Sequence, residues 1–247
     1  MPRIAILADI HANREALDAV MERLQDLNVD QTVLLGDLVG YGPDPSYVVD
    51  TAKAMVADGA IALLGNHDEA IQKGARGMNE NARDAIAWTQ GQLSGEQKTF
   101  LTKLPLEHRF GNMLFTHASA ARTGSWPYIR SADAAADCLR DADARIVICG
   151  HTHVPAIFYA AKDAMPSRFT PLPNKPAPLF AGRRQIVVIG SVGQPRDGNP
   201  AACLGLLDTR AMEVTMYRIP YDSALTTRKI VAAKLPSWLG VRLQTGS

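Results

Sequence analysis

The stretch LLGNHD, at residues 63–68, is the part of the sequence around which the other elements can be ordered. With the two apolar residues before it, it predicts a short buried strand over 61–64, after which Gly65 permits a sharp turn. The turn delivers an amide, an imidazole and a carboxylate to the carboxyl end of the strand. These could supply a metal ligand, a proton donor and a group that orients the donor. A turn that caps the next helix explains the stretch equally well on its own, so the choice depends on how other strands end.

Strand, turn and helix repeat along the first third of the chain. The apolar residues 4–7 predict a first strand, and Asn13 is predicted to be the N-cap of the helix that follows. A second strand is predicted over 32–35, and Pro45 opens a second helix. With the third strand, the period is roughly 30 residues, which is typical of a parallel α/β sheet.

Further elements are predicted downstream. They are helices over 79–104 with a break near 93–95, from Ser131 to about Arg140 and near 223–234, a hairpin over 109–115, and strands over 145–149, 154–159, 186–189, 204–207 and 214–219. Because the last two strands follow each other without a crossover helix, we expect antiparallel pairing in a second sheet. Five prolines between 161 and 183 predict an extended surface excursion, a flap or a partner contact, within a single domain over 1–247.

Composition narrows the classes of function. Lys and Arg total 26 against 25 for Asp and Glu, so the net charge of +1 argues against a long nucleic acid as partner. Cys138, Cys149 and Cys203 form no CxxC pair and are interpreted as reduced core thiols. The sequence shows no signal peptide and no apolar run of the ~18–20 residues that a membrane span needs. We therefore expect a cytoplasmic protein without membrane contact.

Metal-competent side chains follow five of the predicted strands. They are Asp9 with His11, Asp37, Asn66 with His67, His117, and His151 with His153, and among the histidines only His108 lies elsewhere. In open α/β sheets, ligand sites gather beyond the carboxyl ends of the strands, so these side chains are expected to converge. Each alone has an ordinary structural explanation, such as a satisfied core histidine or a residue at a helix start. Their joint concentration at strand ends favours one site.

The types of donor atom indicate the metal. Carboxylate, amide and imidazole ligands suit Mn²⁺, Fe²⁺, Zn²⁺ or Ni²⁺, and no cysteine lies where a thiolate site would need one. Seven candidate ligands exceed the three or so that one catalytic metal keeps. Two ions that share a bridging carboxylate would use them all. Such a pair generates a nucleophilic hydroxide and stabilises the attacking and leaving oxygens of in-line phosphoryl displacement.

The motifs DIH, GDLVGYG, GNHD, TH and GHTH, in this order between residues 9 and 153, resemble those of the calcineurin-like metallophosphoesterase superfamily. The GYGP stretch and the segment SVGQPRDG resemble its small prokaryotic phosphodiesterase-like branch. The resemblance implies an α/β fold, a four-layer α/β/β/α sandwich of two mixed sheets flanked by helices. It also implies a dinuclear hydrolase, with Mn²⁺ as the first expectation and Fe, Zn, Ni or Mg as alternatives.

The resemblance assigns roles to individual residues. A first metal is implied at Asp9, His11, Asp37 and His153, and a second at Asp37, Asn66, His117 and His151, with Asp37 bridging. His67 is implied as the proton donor, or as a hydrogen-bond donor in the transition state. Asp68 is expected to orient the His67 ring through a hydrogen bond.

Departures from the pattern bear on the substrate. The Ser/Thr protein phosphatases of the superfamily have GDxVDRG, where this chain has Gly40 and Tyr41 in place of the Asp and the phosphate-binding Arg, and they have GNHE, where it has Asp68. Asn13, Tyr41 and Arg196 are candidate substrate contacts. Arg196 has an alternative, an ion pair with Asp197. Trp126 and Tyr128 could stack on a base but are expected to be hydrophobic cover under a loop.

We therefore predict a phosphoesterase that hydrolyses phosphodiesters or small phosphorylated metabolites through attack by a metal-bridging hydroxide. The expected partner is a small phosphoester, and a homo-oligomer remains open. Two alternatives are a non-catalytic metal-binding scaffold for protein interaction and a monoesterase like the Ser/Thr protein phosphatases.

Overall fold

A computed structural model describes residues 2–161 and 164–247 of the protein. Within them, the strands form two mixed sheets of six strands each. The first sheet has the order β3-β2-β1-β11-β12-β9, from strands β1 (Arg3–Leu7), β2 (Gln31–Leu34), β3 (Ile61–Ala62), β9 (Pro176–Pro178), β11 (Ala202–Asp208) and β12 (Glu213–Ile219). The second has the order β4-β5-β6-β10-β7-β8, from β4 (Glu107–Phe110), β5 (Met113–Thr116), β6 (Ile146–Cys149), β7 (Ala156–Ala160), β8 (Ser167–Phe169) and β10 (Arg184–Val188).

Eight helices accompany the sheets in the described residues. They are α1 (Arg14–Gln25), α2 (Pro45–Ala57), α3 (Asn66–Lys73), α4 (Glu80–Gln92), α5 (Gly95–Thr102), α6 (Ala132–Asp141), α7 (Ser223–Ala232) and α8 (Ser237–Thr245). Asn13 caps α1, Ser131 caps α6 and Pro45 starts α2, as the sequence predicts. None of these helices combines the length and the apolar character that a membrane crossing requires.

Three apolar layers hold the elements together. One cluster lies between the sheets and joins Ile4 and Ile6 of β1 to Ile157 and Val187 of the second sheet. A second covers the outer face of the first sheet with α1 to α5, and a third covers the outer face of the second sheet with α6. Because strand residues alternate between faces, each sheet buries both of its faces. The fold is therefore the expected α/β/β/α sandwich, and the three cysteines are buried free thiols.

The parallel strands set the position of the site. Strand β1 is parallel to β2, and β2 to β3, while β6 is parallel to both β5 and β10. The loops after β1, β2, β3, β5 and β6 consequently leave the sandwich at one edge. A bridge between Ala8 and Ser191 joins the two sheets at this edge.

Two predictions about strands need correction. The third strand ends at Ala62 instead of residue 64, because the Leu64 N–H donates to Pro105 O (2.8 Å) and leaves the sheet. The last two strands are antiparallel as predicted, but β11 pairs with β1 and so extends the first sheet, not the second. Their apolar residues continue the faces of β1, which sequence periodicity does not reveal.

The Pro-rich excursion over 161–183 contains two short strands. Strand β8 forms the edge of the second sheet, and β9 forms the edge of the first. Within the described part of the excursion, the chain thus passes from one sheet to the other, and proline suits such edges because it lacks an N–H. Residues 162 and 163, which the predicted excursion includes, lie outside the described residues.

Candidate metal centre and substrate cleft

The loops that carry the predicted ligands have an unusual backbone. Asp9, His11, Asp37, His151 and His153 all have positive φ, between 50° and 65°. Residues other than glycine rarely adopt this backbone conformation, and the strain that it causes is found mostly at functional sites. Backbone hydrogen bonds hold the loops in place, among them His11 N to Asp37 O (2.9 Å) and Asp9 N to Gly36 O (3.1 Å). The fold thus imposes strain where the predicted ligands meet.

A first group of donor atoms comes from three loops. Ligand atoms of Asp9, His11, Asp37 and His153 all lie within 4.8 Å of one another, and all four residues are buried. His11 Nε2 is 3.1 Å from His153 Nε2, and His153 Nε2 is 3.3 Å from Asp9 Oδ1. Two carboxylates and two imidazoles in this arrangement could bind one divalent cation.

A second group shares Asp37 with the first. Ligand atoms of Asp37, His117 and His151 lie within 4.8 Å of one another. His117 Nε2 is 3.4 Å from Asp37 Oδ2, 3.1 Å from His151 Nδ1 and 3.1 Å from Asn66 Oδ1. All seven residues predicted as metal ligands therefore lie in two adjoining groups, and Asp37 belongs to both.

The outer hydrogen bonds of three histidines fix which ring nitrogen faces the centre. The Nδ1 atoms of His11, His117 and His153 lie 3.1, 2.9 and 2.6 Å from backbone carbonyl oxygens of Val39, Leu35 and Gln194. A carbonyl only accepts, so each Nδ1 must carry the proton. In a neutral ring, Nε2 then presents a lone pair to the centre, which is the tautomer that metal-binding histidines need.

This arrangement fits a cation better than a hydrogen-bond network. His11 Nε2 and His153 Nε2 face each other with lone pairs, so neither can donate to the other in the neutral rings. His151 Nε2 is buried without a hydrogen-bond partner in the described residues. Burial disfavours the charged form of His117, but the carboxylate of Asp37 raises its pKa to about 9. The carboxylate oxygens and imidazole nitrogens of the cluster, with three rings in the ligating tautomer, fit divalent metal ions.

Asn66, His67 and Asp68 are the first three residues of α3, with Gly65 as N-cap. The turn therefore both starts a helix and delivers side chains to the centre. Gly65 is needed here, because a Cβ on it would lie 2.2 Å from Asp37 Oδ1 and from the Asp37 backbone nitrogen. The His67 N–H donates to the same Oδ1 (2.8 Å) and so ties the helix start to the shared carboxylate.

Asp68 does not orient His67, and this prediction was wrong. Its Oδ2 accepts from Gly65 N (3.0 Å) and its Oδ1 accepts from Val39 N (3.2 Å). Successive helix residues point in different directions, so Asp68 turns back towards the helix start while His67 faces the cleft. Burial raises the pKa of Asp68 to about 7, and the negative charge of Asp37 is the second cause.

His67 is positioned by packing instead. Its ring lies 4.5 Å from the Tyr41 ring and 4.8 Å from the His11 ring, between centroids. A Cβ at Gly40, whose φ is +86°, would lie 2.3 Å from His67 Nδ1, so only glycine leaves room for this ring. Within the described residues His67 Nδ1 has no hydrogen-bond partner. Burial lowers the pKa of His67 to about 4, with Arg196 contributing, so the ring is neutral at pH 7.

A cleft of about 500 Å³ opens beside the centre. Its lining includes Tyr41, Asn66, His67, Trp126, Tyr128 and His151. Glu69 and Arg76, on α3 and the loop after it, also line the cleft and were not predicted. The cleft is larger than a phosphate group and has room for the alcohol parts of an ester.

The two aromatic residues that line the cleft are held by contacts of their own, and Tyr128 is 43% exposed and not the expected cover under a loop. Tyr128 stacks on His151 at 4.0 Å between centroids, and Arg130 Cζ lies 4.0 Å from the centroid of the same ring. Two groups this close must occupy opposite faces, so neither face of Tyr128 is free for a base. Trp126 Nε1 donates to Glu69 Oε2 (3.1 Å), and the ring meets His117 edge-on.

Asn13, a predicted substrate contact, has a structural role instead. Its Oδ1 accepts from Ala16 N (3.2 Å) as the cap of α1, and its Nδ2 donates to Gly193 O (2.8 Å) and to Tyr221 OH (3.2 Å). The side chain is buried, so no polar atom of it is left for substrate.

Tyr41 and Arg196 do lie beside the centre. Arg196 Cζ is 5.6 Å from the centroid of the Tyr41 ring, and its Nη2 donates to Gln194 Oε1 (2.8 Å). The alternative ion pair with Asp197 is not formed, because Asp197 pairs with Arg218. Arg196 thus keeps its charge beside Tyr41 and His67.

Comparison with known proteins identifies the family. The profile of the calcineurin-like phosphoesterase superfamily domain matches residues 2–212. The structure of a metallophosphoesterase from Sphaerobacter thermophilus superimposes with a TM-score of 0.87 at 36% identity, over 100% of this chain and 99% of that one. An uncharacterized protein of Methanocaldococcus jannaschii is 30% identical over 249 residues, 98% of each chain, and the phosphodiesterase YfcE of Escherichia coli is 25% identical over 221 residues, 87% of this chain and 91% of its own. This chain therefore belongs to the calcineurin-like phosphoesterase superfamily and is a metal-dependent phosphoric ester hydrolase.

Proposed function

We propose that the protein is a dinuclear phosphodiesterase that acts on small phosphorylated molecules. The observation that carries the proposal is that Asp37 belongs to both groups of ligand atoms. One carboxylate between two groups is the arrangement that a bridged pair of ions requires. The first ion would be held by Asp9, His11, Asp37 and His153, and the second by Asp37, Asn66, His117 and His151.

The residues of the centre would bind and orient the metal ions, whereas the ions would supply the positive charge. When bound, a pair of divalent ions supplies an activated water as nucleophile and positive charge for the phosphoryl oxygens in the transition state. The Nδ1 hydrogen bonds of His11, His117 and His153 hold the rings in the ligating tautomer. The strained loops fix the donor atoms before substrate arrives, which reduces the reorganisation needed during reaction.

His67 is proposed to donate a hydrogen bond to an oxygen of the scissile phosphate. Its pKa of about 4 leaves the ring neutral at pH 7, and cations close by would lower the pKa further. A neutral imidazole donates one hydrogen bond without competing with the ions for the carboxylates.

The surroundings of the phosphate site favour a diester. Tyr41 occupies the position at which the Ser/Thr protein phosphatases have an Arg, and a diester has one negative charge fewer than a fully ionised monoester. Fewer cations are therefore needed to bind it. The likeness to YfcE, a protein named as a phosphodiesterase, supports the same substrate class.

Replacement of the shared carboxylate tests the proposal. Asp37→Asn should lower the affinity for both ions, and elemental analysis after dialysis against Mn²⁺ should show two ions per wild-type chain and less than one per variant chain. Asp84→Asn, on the exposed face of α4, is the matched control and should keep both ions. An Asp37→Asn protein that retains two ions and wild-type hydrolysis of bis(p-nitrophenyl) phosphate would contradict the dinuclear proposal.

A further inference from the structure

His151 differs from the other three histidines of the ligand groups in what lies behind its ring. In those three, Nδ1 contacts a backbone carbonyl and Nε2 faces the centre. In His151 the ring is reversed, because Nδ1 lies 3.1 Å from His117 Nε2 and Nε2 is buried without a hydrogen-bond partner in the part of the chain that the structure describes. The last torsion of a histidine has broad energy minima, so packing must fix a ring that lacks an outer hydrogen bond.

Tyr128 supplies this packing. Its ring and the His151 ring are 17° from parallel, and their centroids are 4.0 Å apart. Rotation of the imidazole about its last torsion would move one ring edge into the face of Tyr128, so the stack keeps the imidazole in its plane. The stack therefore fixes the His151 ring, as the carbonyl contacts fix the rings of the other three histidines.

Tyr128 is itself held in place, although 43% of it is exposed. Arg130 Cζ lies 4.0 Å from the ring centroid, on the face opposite the imidazole, and a guanidinium is attracted to the electron-rich face of a phenol ring. The backbone of the loop is tied back by Ser119 N, which donates to Pro127 O (3.3 Å), and Trp126 has a φ of +57°, which a bulky residue rarely adopts. The ring of Tyr128 is therefore clamped between a cation and a predicted metal ligand.

We propose that Tyr128, backed by Arg130, is a positioning residue that keeps Nδ1 of His151 directed at the centre and so sets the affinity for the second ion. This inference rests on the proposed dinuclear function, in which His151 would bind that ion. A ligand that is fixed in advance loses less conformational entropy on binding, and loss of a group that orients a metal ligand typically weakens metal binding by about 10- to 100-fold. The affinity for the first ion should not depend on Tyr128.

The first experiment measures the affinities for the two ions. Mn²⁺ is titrated into the wild type and the variants, and the concentration of free Mn²⁺ is measured by electron paramagnetic resonance. We expect Tyr128→Ala to weaken one of the two Kd values about 10-fold and to leave the other unchanged. Tyr128→Phe keeps the stacked ring and should bind both ions as the wild type does. Arg130→Gln removes only the cation and should weaken the same Kd by less.

Tyr47→Ala is the matched control. Tyr47, on α2, is also an exposed tyrosine with an arginine over its ring, since Arg14 Cζ lies 4.2 Å from the ring centroid. Its hydroxyl donates to Asp18 Oδ1 (2.6 Å), which belongs to neither ligand group. Tyr47→Ala should therefore keep both Kd values of the wild type.

The second experiment observes the His151 ring directly, without metal or turnover. Long-range ¹H–¹⁵N NMR spectra of the metal-free protein report the ring protons of each histidine, and His151→Gln identifies the signals of His151. The stacked phenol ring should shift these signals upfield in the wild type, and Tyr128→Ala should remove the shift. The signals of His11 and His153 should stay in place.

The two measurements separate the possible roles of Tyr128. Two unchanged Kd values, or unchanged His151 signals, in Tyr128→Ala would overturn the proposal. A raised KM for bis(p-nitrophenyl) phosphate with unchanged Kd values would also overturn it, since Tyr128 would then be a substrate contact. A Kd and His151 signals that depend on Tyr128, in a wild type that binds two ions and hydrolyses no diester, would instead contradict the proposed phosphodiesterase activity alone.

Discussion

The metal centre and the core between the sheets are both buried, yet they are built in opposite ways. In the core, Ile4, Ile6, Ile157 and Val187 come from regular strands and bury apolar surface without strain or charge. A few residues beyond the ends of β1, β2 and β6, the chain enters positive φ and places carboxylates and imidazoles together. The strands thus contribute stability along their length and strained, polar loops at their carboxyl ends.

This difference explains why the metal centre depends on the apolar core. Asp9 and Asp37 are 0% and 1% exposed, and burial opposes their ionisation, but neighbouring imidazoles hold the pKa of each below its usual range. Such a cluster contributes little to folding by itself, because the cost of desolvation offsets much of the attraction between the charges. The apolar layers must hold the loops in register. Bound cations would then stabilise the folded state through binding alone.

The contrast predicts that substitutions in the metal centre lower kcat, whereas substitutions in the core lower the free energy of unfolding. The largest expected effect is that of His67→Ala, which should lower kcat by about two to four orders of magnitude, as for loss of a positioned catalytic group. Since His67 belongs to neither ligand group, the variant should still bind metal and should have a Tm close to that of the wild type. Steady-state kinetics with a diester, elemental analysis and thermal denaturation give the three values.

His108→Ala is the control for His67→Ala, since His108 lies on β4 and belongs to neither group of ligand atoms. It should keep the wild-type kcat. A His67→Ala enzyme with wild-type kcat would remove His67 from the proposed mechanism. Loss of metal in the same variant would move His67 into the ligand set.

Substitutions in the core should lower stability and leave kcat unchanged. Ile157→Ala removes buried methylene groups from the layer between the sheets and should lower the free energy of unfolding by about 2–5 kcal/mol. Its kcat should stay close to that of the wild type at temperatures where the protein is folded. Ile157→Val, which removes one methylene group, should cost about 0.5–1.5 kcal/mol. Urea denaturation would measure both, and a large fall in kcat without loss of stability would show that the two regions are not separable.

The sequence predicts the parts of this molecule that are local. Apolar periodicity and capping residues are sufficient to predict α1 and α6. The identity of the side chains at strand ends predicts that the ligands converge, whereas their division into two groups follows from the family resemblance. Convergence of those side chains follows from a general property of parallel strands, namely that their carboxyl ends lie at one edge.

What the sequence does not predict depends on long-range pairing. Strand β11 could pair in either sheet, and only its register with β1 decides the matter. Helix α8 was missed, although Pro236 before Ser237 and the spacing of Leu239 and Leu243 are typical of a helix start and an apolar helix face.

Asp68 shows how a residue next to a catalytic group in sequence can serve the scaffold. Its two carboxylate oxygens accept from Gly65 N and Val39 N, and so join the turn after β3 to the loop after β2. In Asp68→Asn, one of these buried N–H groups would face an amide N–H₂ instead of an oxygen. We expect a loss of about 1–3 kcal/mol in the free energy of unfolding, the smallest effect of the three.

The measurement for Asp68→Asn uses metal-loaded protein at pH 8, above the pKa of about 7 that burial and Asp37 give to Asp68. Asp84→Asn is the control for the change of charge and should have the stability of the wild type. If Asp68 holds the turn, its replacement lowers Tm, while kcat falls by far less than in His67→Ala. If Asp68 orients the imidazole, Asp68→Asn should instead reproduce the kcat of His67→Ala at an unchanged Tm. The Tm and the kcat of Asp68→Asn together therefore decide whether the carboxylate of Asp68 orients His67 or holds the turn in place.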